Sequence, residues 1–284
     1  MLRYSIPIAV ASIAGIAIKA ADQFYISRYF GAEVFAEFSN GFVELPFVHM
    51  VTGSVSIVLM PIFSKMIFDQ ASKDEVRVLW QSSLLKSATL IYPLVIFFML
   101  FSRDIMIILY SAKYASASVY FILAMTVNLF NIVVFAPLIL ALGETAFYAR
   151  LHAWMALASW ILGFIVVLLF HNPVAIAIFS AARSIILVVI AIIFISSRLN
   201  IKLLLLFPGK KIVMIGLHAL SATFIVKYLI SRLLLPDLNS LTIVILSLII
   251  YLCIILLTAK VFNVDYVDVV KSLLRKGINN YQLL

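Results

Sequence analysis

The chain has 284 residues, of which 65% are hydrophobic and only 12% are charged, and its mean hydropathy is +1.19. Soluble domains average about 45–50% apolar and about 25% charged residues, so composition alone makes this an integral membrane protein. A net charge of +9 would suggest nucleic acid in a soluble protein; here the placement of the basic residues accounts for it, and no nucleic-acid partner is expected.

One cysteine, Cys253 in an apolar run, excludes an internal disulfide and a cysteine-rich metal site. Arg3 leads into a long apolar run with no small-residue cleavage site, so no cleavable signal peptide is expected. The apolar runs are continuous and helix-length rather than alternating, which predicts an all-α polytopic fold with room for about eight spans.

In chain order, the first span is expected at Tyr4–Tyr29, with Pro7 in its opening turn, where proline is tolerated. The second, Val34–Met66, is interrupted by Pro46 and Pro61. A polar connector, Asp69–Arg77, leads to the third, Leu79–Phe101, which contains Pro93. A short amphipathic piece, Asp104–Tyr114, precedes the fourth, Ser116–Leu142, with Asn128, Asn131 and Pro137. The fifth and sixth cover Thr145–Phe170 and Pro173–Ser197. A basic loop then leads to the seventh, Ile212–Ile230, and the eighth, Leu241–Leu257. The tail, Lys260–Leu284, carries acids early and bases late, as an interfacial helix on the cytoplasmic leaflet would.

With Met1 placed in the cytoplasm, thirteen Lys and Arg fall on that side and four on the other. The remaining four, Lys19, Lys86, Arg183 and Lys227, lie inside spans. Cytoplasmic loops carry an excess of Lys and Arg, so the alternation favours eight spans with both termini cytoplasmic. No Gly-rich phosphate loop, zinc-spaced His/Cys set or nucleophile elbow occurs. An enzyme is therefore not expected, nor any cofactor.

Ionisable groups at membrane depth are expensive and usually face a bundle interior or a water-filled cavity. Arg183 sits mid-way along the sixth span among small residues that let another helix approach. It reads either as half of an ion pair with a carboxylate on another helix or as part of a cationic patch for an anionic substrate. Lys19 and Asp22, three apart, share a helix face and could neutralise each other. Glu44 precedes Pro46, where a helix loses a backbone hydrogen bond, and suits a hinge, a cavity wall or a proton carrier. Glu37 reads as a solvated rim residue. Asn128 and Asn131 could bond sugar hydroxyls or hold helices together. The four histidines share no spacing and read as packing or interface residues. Prolines 46, 61, 93 and 137 suggest broken, bendable helices of the kind carriers use.

The run A-D-Q-F-Y-I-S-R-Y-F-G-A-E-V-F-A-E-F, followed by P-F and then V-S-I-V-L-M-P-I-F-S-K, resembles the second half of Wzx-type polysaccharide flippases of the MOP superfamily. I-I-L-Y-S-A-K-Y-A-S-A-S resembles that family's outer-side element, as does L-A-L-G-E-T at the end of the fourth span, where the family often has a glycine and a polar residue. The resemblance covers about Ser5–Ser197. It implies a C-terminal six-helix lobe over residues 1–200, two additional helices over 201–262 and a cytoplasmic tail over 263–284. It implies transport of undecaprenyl-pyrophosphate-linked sugars across a bacterial inner membrane, through a cationic cavity between two lobes. Lys19, Asp22, Glu44 and Arg183 become candidates for the cavity wall. The first lobe of such a carrier has no counterpart here, so the resemblance implies either a fragment or a partner chain that supplies it. A MATE-like cation-coupled drug exporter is the alternative in the same fold. A non-transporting subunit of a polysaccharide polymerase complex is the alternative outside it.

Overall fold

In the computed structural model, residues 2–233 and 239–267 are described, together with Val269 and Lys271. Among them the chain is helical throughout, with no strand. The expected interfacial helix of the tail, and most of the region 263–284, lies outside the described residues.

Among the described residues seven helices are long and apolar enough to cross a membrane. They are α1 (Leu2–Gly41), α2 (Pro46–Phe68), α3 (Lys73–Leu100), α7 (Thr145–Phe170), α8 (Pro173–Leu199), α10 (Gly209–Leu233) and α11 (Ser240–Thr258). The expected fourth span is present but broken into α5 (Ser118–Phe130) and α6 (Ala136–Ala141), each too short to cross alone. Shorter pieces are α4 (Ser102–Tyr110), a 3₁₀ segment at Ala112–Ala117, and α9 (Leu203–Leu206).

The expected turn between the first two spans is a single residue. α1 runs 40 residues and is bent at Gly31, whose φ of 83° and ψ of 176° lie outside helical space. Only glycine adopts such a conformation without strain. The second span is therefore divided too: residues 32–41 form an outer half, Phe42–Leu45 a non-helical link, and α2 the rest.

Prolines break two spans, not four. Pro46 and Pro137 stand in the first turn of α2 and α6, the position that tolerates a missing N–H. Pro61 and Pro93 lie inside α2 and α3, which continue past them. The Pro93 carbonyl accepts the buried Tyr251 hydroxyl at 2.7 Å, tying α3 to α11.

Packing sorts the helices into sets. α1 lies along α7 and reaches α8 and α5, whereas α2 packs on α6 and α3. α3 also carries α10, and α11 closes on α10 and α4. At the α1–α7 seam the Tyr25 hydroxyl donates to the Trp160 carbonyl, and the ring lies against Gly163, where a Cβ would come within 2.9 Å of it. Of the histidines, His218 is buried between the hydroxyls of Tyr266 (2.9 Å) and Thr258 (2.7 Å), stacked on Phe262. It secures the segment that follows α11, where burial raises the Tyr266 hydroxyl above its ordinary pKa.

Candidate functional site

The sequence places two charges of opposite sign on α1, but the structure does not pair them. Asp22 turns into the bundle and meets Arg183 of α8. The guanidinium donates from Nη1 to Oδ1 at 3.0 Å and from Nη2 to Oδ2 at 2.8 Å. The side chains are only 6% and 10% exposed, and the guanidinium also lies over the Phe179 ring. This is the planar two-pronged match that makes arginine suited to buried carboxylates. The local Lys19–Asp22 pair expected from spacing is thus replaced by an interhelical pair. Arg183, committed to Asp22, is not a free cation.

Lys19 is left exposed, with no hydrogen bond or ion pair among the described residues. Around it runs a stripe that the sequence reading missed. Ser5, Ser12, Lys19 and Gln23 are all exposed, and spacings of seven, seven and four put them on one side of a 3.6-residue helix. Ile16, 70% exposed, lies on the same side, and exposed Ile6, Ile13 and Phe24 flank it. α2 carries a weaker counterpart: exposed His49, half-buried Gly53 and Ser56, and exposed Ser64. Polar side chains on the outside of a membrane helix point to water or to a protein partner, not to lipid. By contrast, the exposed middle of α7 is apolar, with Trp154, Leu157, Ile161 and Phe164. The signal was available in the sequence as a seven-residue repeat, but only exposure distinguishes it from a packed seam.

The second locus is the meeting point of the two broken spans. Glu44 is exposed in the link before α2, and its Oε1 accepts from Asn131 Nδ2 at 3.4 Å. Asn131, at the end of α5, also reaches Asn128 Oδ1 at 3.4 Å. Asn128 is 1% exposed, and its own Nδ2 donates to the Ala124 carbonyl at 3.0 Å. The structure therefore joins Glu44, Asn128 and Asn131 into one cluster, separate from the Asp22–Arg183 pair. Glu37, expected as a solvated rim residue, lies midway along the half-helix, is half-buried, and accepts from the Ser116 hydroxyl at 2.6 Å. Nearby, Lys113 pairs with Glu33 at 3.3 Å.

At the far end of the bundle, Gly143 at φ 76° turns the chain into α7, and Glu144 holds Arg198 of α8 at 2.6 Å. A hollow of about 370 Å³ lies between Pro61 and Glu75, and one of about 240 Å³ beside Glu33 and Lys113. Neither is lined by Lys19 or Glu44, both of which are exposed. Among the described residues no group of three or more His, Cys, Asp or Glu is placed to hold a metal ion.

Residues 1–119, which carry α1, α2, α3, α4 and the 3₁₀ segment, match the family model described as a polysaccharide biosynthesis protein, Polysacc_synt_3. A solved structure, the lipid II flippase MurJ in an inward closed conformation, shares the fold over 90% of this chain, with a TM-score of 0.57 and 16% sequence identity. The family match covers less than half of the chain, and the structural likeness is one of fold. The chain spans 52% of that flippase's length. No curated protein sequence matches the chain.

Proposed function

We propose that the protein moves a lipid-linked oligosaccharide, with a pyrophosphate between lipid and sugar, across the plasma membrane for polysaccharide biosynthesis. The observation that carries this reading is the stripe of Ser5, Ser12, Lys19 and Gln23 along an exposed face of a membrane helix, in a chain with a flippase-like fold. A lysine that is exposed, without an ion-pair partner and about 25 Å from the start of its helix at 1.5 Å per residue suits a water-filled passage that an anion traverses.

In this reading Lys19 attracts the pyrophosphate. Gln23, Ser12 and Ser5 offer hydrogen bonds along the path. The Asp22–Arg183 pair does not touch the cargo; it fixes the register of α1 against α8 so that Lys19 stays aimed outward. Glu44 and Asn131 bond neutral sugar hydroxyls. A second lobe, on the same or another polypeptide, closes the passage over α1 and α2. Both termini lie in the cytoplasm, residues 1–200 form one lobe, and the chain does no covalent chemistry.

A drug exporter favours acidic, aromatic-lined cavities for its cationic cargo. Here the free charge on the α1 stripe is positive, which favours an anion. The test is binding of a short-chain polyprenyl-pyrophosphate sugar to the purified protein in nanodiscs. Lys19→Gln is expected to weaken it at least tenfold, while Lys19→Arg keeps it. Equal binding by wild type and Lys19→Gln overturns the reading.

A further inference from the structure

Residues 200–208 join α8 to α10 at a membrane face. α8 has 27 residues, about 40 Å at 1.5 Å each, long enough to carry Asn200 beyond a hydrocarbon core about 30 Å thick. Asn200, at φ 53°, ends that helix, and α10 starts back at Gly209. Between them stands α9, four leucines that make about one turn.

This turn is fixed from within. Leu206 is 0% exposed. The Gln81 amide of α3 donates to the Leu205 carbonyl, and the Ser196 hydroxyl of α8 donates to the Ile201 carbonyl at 2.6 Å. The other three leucines face outward: Leu203 is 43%, Leu204 91% and Leu205 51% exposed. Three successive leucines on a fixed, exposed turn are costly in water. Set at a membrane face, they enter the acyl region, and the turn lies in the interface.

That depth places the neighbouring lysines. Lys202 directly precedes the leucines, and Lys210 and Lys211 follow four and five residues after Leu206. All three are exposed, and none has an ion pair or hydrogen bond among the described residues. With the leucines in the acyl region, ammonium groups on long flexible stems reach the level of the headgroup phosphates. No Asp or Glu occurs between Glu144 and Asp237, and Glu144 is taken by Arg198 at 2.6 Å. The link between α2 and α3 differs: its bases Lys65, Lys73 and Arg77 are interleaved with Asp69, Asp74 and Glu75, so it offers an anion no net attraction.

We infer that α9 with Lys202, Lys210 and Lys211 forms a docking site for an anionic phospholipid. The acidic headgroup sits among the lysines, and the chains lie beside Leu203, Leu204 and Leu205. Charge and apolar surface choose this occupant together. A free phosphate leaves the leucines uncovered, and a zwitterionic lipid brings its own cation against the lysines. Basic clusters beside a span gain attraction to anionic lipid with each lysine. The bound lipid pins the elbow through which the chain passes from α8 to α10, and so steadies α10 on α3. The site is separate from the α1 stripe and stands whatever cargo the protein moves.

The test is native mass spectrometry of the whole chain in detergent, with phosphatidylglycerol or phosphatidylcholine of equal chain length added. The first phosphatidylglycerol is expected to bind about tenfold or more tightly than phosphatidylcholine; this preference is read in wild type, independently of any variant. Lys202→Gln/Lys210→Gln/Lys211→Gln should remove the preference, and Leu204→Gln should weaken phosphatidylglycerol binding several-fold. Lys65→Gln/Lys73→Gln/Lys260→Gln removes the same charge from other helix ends and should change the binding by less than about twofold. Equal affinity of wild type for the two lipids overturns the inference, as does a preference that survives the first triple variant or is lost equally in the second. Glycerol phosphate, which carries the headgroup charge without chains, overturns it by binding as tightly as the lipid. A dimer that Leu204→Gln breaks also overturns it, assigning the leucines to a second copy of the chain.

Discussion

Replacing Arg183 with methionine leaves Asp22 as a carboxylate 7% exposed as a residue, stripped of both of its hydrogen-bond donors. Removing one partner of a buried ion pair destabilises by about 3–5 kcal/mol, because the remaining charge stays desolvated. Replacing both partners by apolar groups of similar size is often neutral, because the desolvation cost disappears with the charges. The double variant Asp22→Leu/Arg183→Met should therefore recover most of the loss. Lys19→Ala, at an exposed position without a partner, should stay within about 0.5 kcal/mol of wild type. The assay is reversible unfolding in mixed micelles, followed by tryptophan fluorescence, with the four corners of the cycle giving the coupling energy. At about 1.4 kcal/mol per factor of ten, the single variant shifts the folding equilibrium by roughly a hundred-fold to several thousand-fold. The reasoning is refuted if Arg183→Met is as stable as wild type, or if the double variant loses the sum of the two singles. A large loss in Lys19→Ala with none in Arg183→Met would restore the local pair in place of the interhelical one.

Further predictions concern the joints of the fold. Gly41→Ala puts a Cβ 2.5 Å from the Ala117 carbonyl oxygen and 2.8 Å from Tyr120 Cβ; overpacking against backbone costs about 1–3 kcal/mol, measurable by the same unfolding assay. Gly31→Ala forces a side chain onto φ 83° and should cost about 1–3 kcal/mol of strain, although nothing crowds its Cβ. Tyr251→Phe removes the buried hydrogen bond to the Pro93 carbonyl and should cost about 0.5–1.5 kcal/mol. Glu144→Gln, which loses a pair whose arginine side chain is 52% exposed, should change stability by no more than about 1 kcal/mol.

The sequence disclosed the helices because apolar runs of span length have one physical meaning in a membrane protein. It disclosed two of the breaks for the same reason: Pro46 and Pro137 each follow a stretch that cannot continue the helix. Pro61 and Pro93 looked the same on paper. Both helices continue past them, and no local rule separates these prolines from the two that stand at a helix start. Asp22 illustrates the same limit. Helical spacing nominates Lys19, whereas the partner that wins comes from α8, where burial makes a two-pronged arginine contact worth more than a solvated neighbour. The polar stripe of α1 was written in the sequence as Ser5, Ser12 and Lys19, yet a periodic face becomes a candidate passage only once its exposure is known. Glu44, Asn128 and Asn131 were each legible as polar residues in apolar surroundings. Their convergence was not, because it depends on the non-helical link before α2 reaching the far end of α5.

The Asp22–Arg183 pair also sets a timetable for biogenesis. The partners are 161 residues apart, and ribosomes add about 5–20 residues per second, so Asp22 is made roughly 10–30 s before the arginine that neutralises it. During that interval α1 must be held as a nascent span with an unmatched acid. Lys19, one turn away and of opposite sign, is the group at hand to share the charge until α8 is delivered. The residue that the folded protein leaves free thus has an earlier duty as a stand-in, and Lys19→Ala should slow insertion of newly made chains even where it leaves the finished fold intact.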